Sequence, residues 1–382
     1  MAATAGRGAA SVALTAEPGS TSWSRVLTRS RYVGSSTARY PRSDGTPDEN
    51  GRYVGDREAA DRGARFVSRR AGPQGYGVAV RLGVNLPQTT AYDLAHDVTV
   101  FAREAERIGF DSLWAYDRLL MPEDQSGPHG LFEIPDAPWP ARYGSCTDPL
   151  ITLALAAAVT ERVELGTGVV VPPLHLPVRL AKTLAALDAA SGGRLVAGLG
   201  AGWSIDEFNA TAPRPHGHRG AALDEFLDIA AAVWGPDPVA FDNGGYRIAP
   251  SRINPKPARR IPILLGGRGE PALRRIAKRA DGWLPAAVAP AETAATLTRL
   301  REMAEANGRD PAAIGCVYQI GVADPAALSR AGLARVVEQI AELTAAGVTH
   351  TYVTLPSAAR DLSELLEAAE GLYSAVRQAG LR

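Results

Sequence analysis

The chain has 382 residues, 46% hydrophobic and 21% charged, close to an ordinary globular protein, which argues against a disordered, fibrous or membrane class. Forty-one basic residues balance forty-one acidic ones, and a net charge of zero provides no global field to gather nucleic acid or an anionic membrane. Two distant cysteines, Cys146 and Cys316, suggest neither a disulfide framework nor a zinc site and point to the cytoplasm, and no apolar stretch approaches the roughly 20 residues that span a bilayer.

Residues 1–77 contain twelve arginines against seven acidic residues, a net charge of about +5, with no sustained hydrophobic period of 2 or 3.6. They predict a disordered basic extension, or a stretch upstream of a true start near Val78 or Val80. The acidic residues speak against a transit peptide, and Arg69-Arg70 lacks the apolar segment of a twin-arginine signal.

From Arg81 the chain alternates. β-type runs at 81–87, 110–116, 162–171 and 194–200 are each followed by a helical pattern, at 93–108, 148–161, 177–191 and 219–234. The second half repeats this with strands near 261–266, 281–285, 314–322 and 348–354 and helices near 270–279, 291–307, 332–346 and 361–378. Crossovers of this length force parallel pairing, so residues 78–382 predict an α/β fold, a (β/α)8 TIM barrel. Between the fourth helix and the fifth strand, 238–248 reads as a hairpin insertion turned by Asn243-Gly244.

In such barrels chemistry sits where strands end. The second strand ends at Tyr116-Asp117-Arg118 and opens a long loop, 119–146, in which His129, Phe132, Trp139 and Tyr143 suit a substrate lid. The third strand carries Gly166 and Gly168, spaced as for a bulge or close approach to a ligand, and His175 follows. The fourth leads into Gly198-Leu199-Gly200-Ala201-Gly202-Trp203, which fails the dinucleotide fingerprint because Trp203 stands where the third glycine belongs. Glu207 and Arg219 come next, and Arg219 at a helix start suits a phosphate. The fifth strand ends Gly266-Gly267-Arg268-Gly269 directly before a helix, a ready anion site.

Five segments then carry a family resemblance: FDSLWAYDRLL, DPLITLALAAAVTERVELGTGVVV, LAKTLAALDAASGGRLVAGLGAGWSIDEF, HRGAALDEFLDIAAAVW and PILLGGRGEPALRRIAKRADGWLP. Together they resemble the luciferase-like monooxygenase superfamily, in particular its F420-dependent oxidoreductases, over about 81–380. The resemblance implies a barrel of the bacterial luciferase-like type with a reduced deazaflavin or flavin at its mouth. Asp117 and Arg118 would flank the ring, Gly168-Val169 would sit behind it through a cis peptide bond, and Gly198, Trp203 and Glu207 would line its side. Arg219, Gly220, Gly267, Arg268 and Gly269 would take the phosphate end.

One position departs from the pattern. Many F420-using relatives carry Asp-His where this chain has Asp117-Arg118, and arginine cannot be deprotonated, so acid-base work there does not transfer. Arg118 instead suits stabilisation of anionic charge, and proton handling is left to Glu207, His129 or His175. The implied activity is F420-dependent hydride transfer to or from a small organic substrate. The alternatives are an FMNH2-dependent two-component monooxygenase served by a separate reductase, and a non-catalytic flavin-binding barrel. A homodimer is expected, with no nucleic-acid or membrane partner and no metal.

Overall fold

The structure is a computed structural model that describes residues 79–382, and the extension expected over 1–77 lies outside them. Ten strands form: β1 (Arg81–Asn85), β2 (Ser112–Ala115), β3 (Glu164–Thr167), β4 (Leu195–Leu199), β5 (Val239–Asp242), β6 (Arg247–Ser251), β7 (Ile263–Leu265), β8 (Gly282–Trp283), β9 (Gly315–Ile320) and β10 (His350–Val353). Eight of them close a parallel barrel in the order β1-β10-β9-β8-β7-β4-β3-β2, while β5 and β6 pair antiparallel as a separate hairpin. Strands β2, β4 and β10 are buried along their whole length, as expected of a parallel sheet covered by helices outside and packed side chains inside.

The helices are α1 (Leu94–Ile108), α2 (Pro149–Val159), α3 (Pro177–Ala190), α4 (Ile205–Thr211), α5 (Arg219–Trp234), α6 (Glu270–Arg279), α7 (Pro290–Ala306), α8 (Arg330–Ala345) and α9 (Leu362–Gln378). Local chemistry sets their starts. The Asp93 carboxylate accepts from the backbone N–H of Ala95 and His96, both at 3.1 Å, and Asp148 accepts from Leu150 and Ile151 with Pro149 in the first helical position. The short α4 replaces what reads in the sequence as loop, because the Ser204 hydroxyl accepts from Glu207 N at 3.3 Å and caps it. β8 is shorter than its 281–285 pattern; Pro285, with no N–H to give to a ladder, follows it. In the hairpin, the Asn243 side chain accepts from Gly245 N and Tyr246 N at 3.0 and 2.8 Å and organises the turn.

Two large rings pack with Val196, Leu264, Leu284 and Val317 in one buried cluster. Trp114 and Tyr352 stack with centroids 4.4 Å apart and planes 9° from parallel. Glycines in and just after β3 make room for them: a Cβ on Gly166 would lie 2.4 Å from the Trp114 indole, and one on Gly168 would lie 2.2 Å from the Tyr352 hydroxyl. The closeness that the sequence suggests for a ligand at Gly166 is therefore used by Trp114. At the opposite end from the mouth, Arg382 pairs with Asp111, whose carboxylate also accepts from Leu82 N at 2.7 Å, so the C-terminus is tied to β1.

Candidate active site at the barrel mouth

A cavity of about 690 Å³ opens at the C-terminal ends of the strands, within the usual range for small-molecule sites. One wall is backbone. The Gly168-Val169 peptide bond is cis. Around it Asp117 N donates to Val169 O at 2.9 Å, Val170 N to Gly198 O at 2.9 Å, Gly200 N to Val170 O at 2.9 Å and Gly266 N to Leu199 O at 2.9 Å. These bonds knit the ends of β2, β3, β4 and β7 into a continuous surface. A Cβ on Gly200 would meet Val169 at 2.8 Å, whereas one on Gly266 would lie at ordinary contact distance, 3.7 Å, from Val169 and the Leu284 carbonyl.

The other wall is built of side chains. Asp117 borders the cavity, and its Oδ2 accepts from Val171 N at 3.2 Å and contacts His175 Nε2 at 3.0 Å. Burial alone would lower the His175 pKa, but the hydrogen bond and charge of Asp117 outweigh it and raise it. His175 does not reach the main cavity; it borders a second one of about 630 Å³ between α2 and α3. Arg118 is almost wholly buried. Its Nη1 lies 3.0 Å from Glu207 Oε2, and the guanidinium stands 4.8 Å from the Trp203 ring, 5.4 Å from Tyr143 and 5.6 Å from Trp139.

Glu207 is also buried, and its other oxygen accepts from Leu119 N at 2.8 Å. Burial pushes its carboxyl up from the ordinary value against the pull of Arg118. The Glu207 carboxylate thus sits behind Arg118 and away from the cavity, where it holds the guanidinium in place.

The turn after β7 borders another part of the cavity. Gly267 (φ +120°) and Arg268 border the cavity, and Gly269 forms the N-cap of α6 with no side-chain capping bond. Arg268 donates to the carbonyls of Ala286 and Ala287. Beside it stands Arg275, which borders the cavity and pairs with Asp224 through two 2.8 Å contacts. Arg219 is turned elsewhere, toward Glu133 at 3.5 Å, and Gly220 contributes through its carbonyl, which accepts from Arg275 at 3.0 Å. Gly198 packs under Thr167, whose carbonyl a Cβ would meet at 1.9 Å, so it supports the wall from behind.

The 119–146 loop folds into three short turns over the mouth. Phe132 and Tyr143 border the cavity, and Trp139 is buried against Trp203 at 4.6 Å. His129 is tied to Asp206 at 2.9 Å and takes no part in the cavity lining. Sequence reasoning missed Arg275, Arg142, Gln319 and Tyr352, all of which border the cavity. Among the described residues there is no group of three or more His, Cys, Asp or Glu able to hold a metal, and no helix long and apolar enough to cross a membrane.

The family model for luciferase-like monooxygenases matches residues 77–352. The chain belongs to the luciferase-like monooxygenase family. An uncharacterized protein of Mycobacterium tuberculosis is 36% identical over 188 residues, 48% of this chain and 65% of the relative, so the match spans just under two thirds of that protein. An F420-dependent glucose-6-phosphate dehydrogenase of Kineococcus radiotolerans is 27% identical over 234 residues, covering 59% of this chain and 64% of that enzyme. Among solved structures, an F420-dependent secondary alcohol dehydrogenase in complex with an F420-acetone adduct superposes with a TM-score of 0.62 at 18% identity, over 78% of this chain and 99% of that one. At that identity the likeness is one of fold, and it places this member of the luciferase-like family on the same barrel.

Proposed function

We propose that this luciferase-like protein is an F420-dependent oxidoreductase that transfers a hydride between the deazaflavin and a small organic substrate. The observation that carries the reading is the two-ended cavity: a glycine-rich backbone wall running from Gly168 and Gly200 to Arg268 and Arg275 around the start of α6. A flat ring on a phosphate-bearing tail fits that shape and charge. The match to F420-dependent glucose-6-phosphate dehydrogenases supports the choice of deazaflavin. When bound, F420 supplies the carbon that accepts or gives the hydride.

The chain's own residues do the rest. Arg268 and Arg275 bind the anionic end, and the 119–146 loop with Trp139 and Trp203 excludes water. Arg118, fixed by Glu207, offers positive charge beside the ring. Proton handling falls to Asp117, which borders the cavity and is backed by His175, because neither Glu207 nor His129 borders it. The second reading, an FMNH2-dependent monooxygenase supplied by a separate reductase, is favoured by the family's monooxygenase membership and uses the same residues.

Titration of the purified protein with F420 and FMN, each oxidised and reduced, followed by optical spectra, tests the proposal. Micromolar binding of F420 without FMN binding supports it. Preference for reduced FMN with oxygen consumption overturns it in favour of the monooxygenase, and binding of neither favours a non-catalytic barrel.

A further inference from the structure

We propose that the substrate of this site carries an anionic head group, a carboxylate or a phosphate monoester, seated on Arg142 and the Tyr352 hydroxyl. The inference rests on the oxidoreductase reading for the word substrate, but the anion seat stands on its own geometry. Four arginines border the cavity: Arg118, Arg142, Arg268 and Arg275. Arg118 pairs with Glu207, Arg275 with Asp224, and Arg268 donates to two loop carbonyls. Among the described residues, the Arg142 guanidinium has neither a carboxylate at ion-pair distance nor a hydrogen-bond acceptor; its neighbour is the Tyr143 ring at 5.3 Å. A half-buried cation left in that state gains from any anion that reaches it.

Its position separates it from the cofactor's anion end. Arg142 lies on the turn Ala141–Ser145, which is pinned to the ends of β1 and β2: Thr89 bridges to Cys146, and the Cys146 thiol donates to the Tyr116 hydroxyl at 3.3 Å. Arg268 follows β7, which stands four strands from β1 in the closed ring. The two cavity arginines without a carboxylate partner therefore face each other across the mouth. If one binds the tail of a cofactor, the other is placed for the molecule that meets it.

Tyr352 supplies the second, independent observation. The residue is fully buried, borders the cavity, and its hydroxyl has no hydrogen-bond partner. A buried donor left unpaired is costly, and a ligand atom at this position would relieve that cost. Burial, and then the nearby Tyr143, push its pKa up, so the hydroxyl keeps its proton and can donate to an anion. Tyr143 joins the two groups, touching the Arg142 guanidinium on one side and influencing Tyr352 on the other. With Phe132 at the rim, the seat combines an anion contact with aromatic surface for an organic body.

Calorimetric titration of the full chain with benzoate, phenyl phosphate and benzamide tests this. We expect at least one of the two anions to bind about tenfold or more tightly than neutral benzamide, the tighter one naming the head group. Arg142→Gln abolishes the preference, Arg142→Lys restores part of it, and Tyr352→Phe weakens the anion while leaving benzamide unchanged. Equal binding of anion and amide, no binding of any of the three, or a preference that survives Arg142→Gln in a folded protein overturns the inference. F420 affinity is read in parallel: loss of the proposed function shows as failure of F420 to bind the unaltered protein, whatever benzoate does.

Discussion

The two walls of the cavity are made by opposite means. From β3 through β7 the surface is backbone, held by N–H to carbonyl bonds near 2.9 Å between consecutive strand ends, with glycines where a side chain would block it. From β10 through β2 the surface is side chain: Tyr352, Arg142, Tyr143 and Arg118, two of them carried on one long loop. A backbone wall can hold any member's cofactor because its shape depends on little beyond glycine placement. A side-chain wall can change one residue at a time, and this is where members of one fold family would diversify their substrates.

If that division is right, the side-chain wall depends on internal charge pairing, and its keystone is Glu207. Glu207→Ala leaves Arg118 buried, at 7% side-chain exposure, without a counter-ion. Removing one partner of a buried pair costs about 3–5 kcal/mol. Chemical denaturation should show a loss of that size, and a loss under about 1 kcal/mol would mean that water, not Glu207, compensates the guanidinium.

The backbone wall depends instead on its anion end. Arg268→Ala with Arg275→Ala should weaken cofactor binding about a hundredfold, as two charge-assisted contacts are lost. Arg219→Ala should change it less than about twofold, since Arg219 faces Glu133. A large effect of Arg219→Ala in spectral titrations would move the anion end to the start of α5.

Two adjacent glycines sharpen the contrast further. Gly267 has φ +120° and a Cβ there would meet Ala272 at 2.7 Å, so Gly267→Ala should cost about 1–2 kcal/mol of stability. Gly266→Ala meets its neighbours only at ordinary contact distance, 3.7 Å and beyond, and should leave thermal stability nearly unchanged while reducing cofactor affinity, because Gly266 borders the cavity. Equal stability losses at both positions would show that Gly266 is structural too.

These differences follow what the sequence could carry. Hydrophobic period and strand-end glycines located all eight barrel strands and the Gly266-Gly267-Arg268 turn, because each of those features is local and written in consecutive residues. Arg275 was hidden, since nothing local distinguishes it from Arg274, which pairs on the surface with Glu270 at 3.0 Å. Arg219 had the right type and position, and only the fold of the 119–146 loop, which brings Glu133 to it, turns it aside. Gly166 serves the Trp114 ring on the neighbouring strand rather than a ligand, and the unpaired Tyr352 hydroxyl depends on what the barrel closes over it. Contacts between distant segments decided each case.

The smallest expected effect concerns the seam where the walls meet, at Asp117. His175 has a folded pKa raised above its unfolded value of about 6.5 by Asp117, so the protonated form is the one the fold favours. Its contribution is complete below the unfolded pKa and fades as pH rises through the folded one. With the imidazole about a third exposed, at 35%, solvent screening holds this below about 1 kcal/mol. Comparing denaturation of the unaltered protein and His175→Gln, the stability advantage of histidine should be larger near pH 5.5 than near pH 8.5, as a shift of this sign requires. An advantage that grows toward high pH would mean that neutral imidazole is the favoured partner of Asp117. The pair would then be a fixed hydrogen bond, and proton handling at this mouth would need another group.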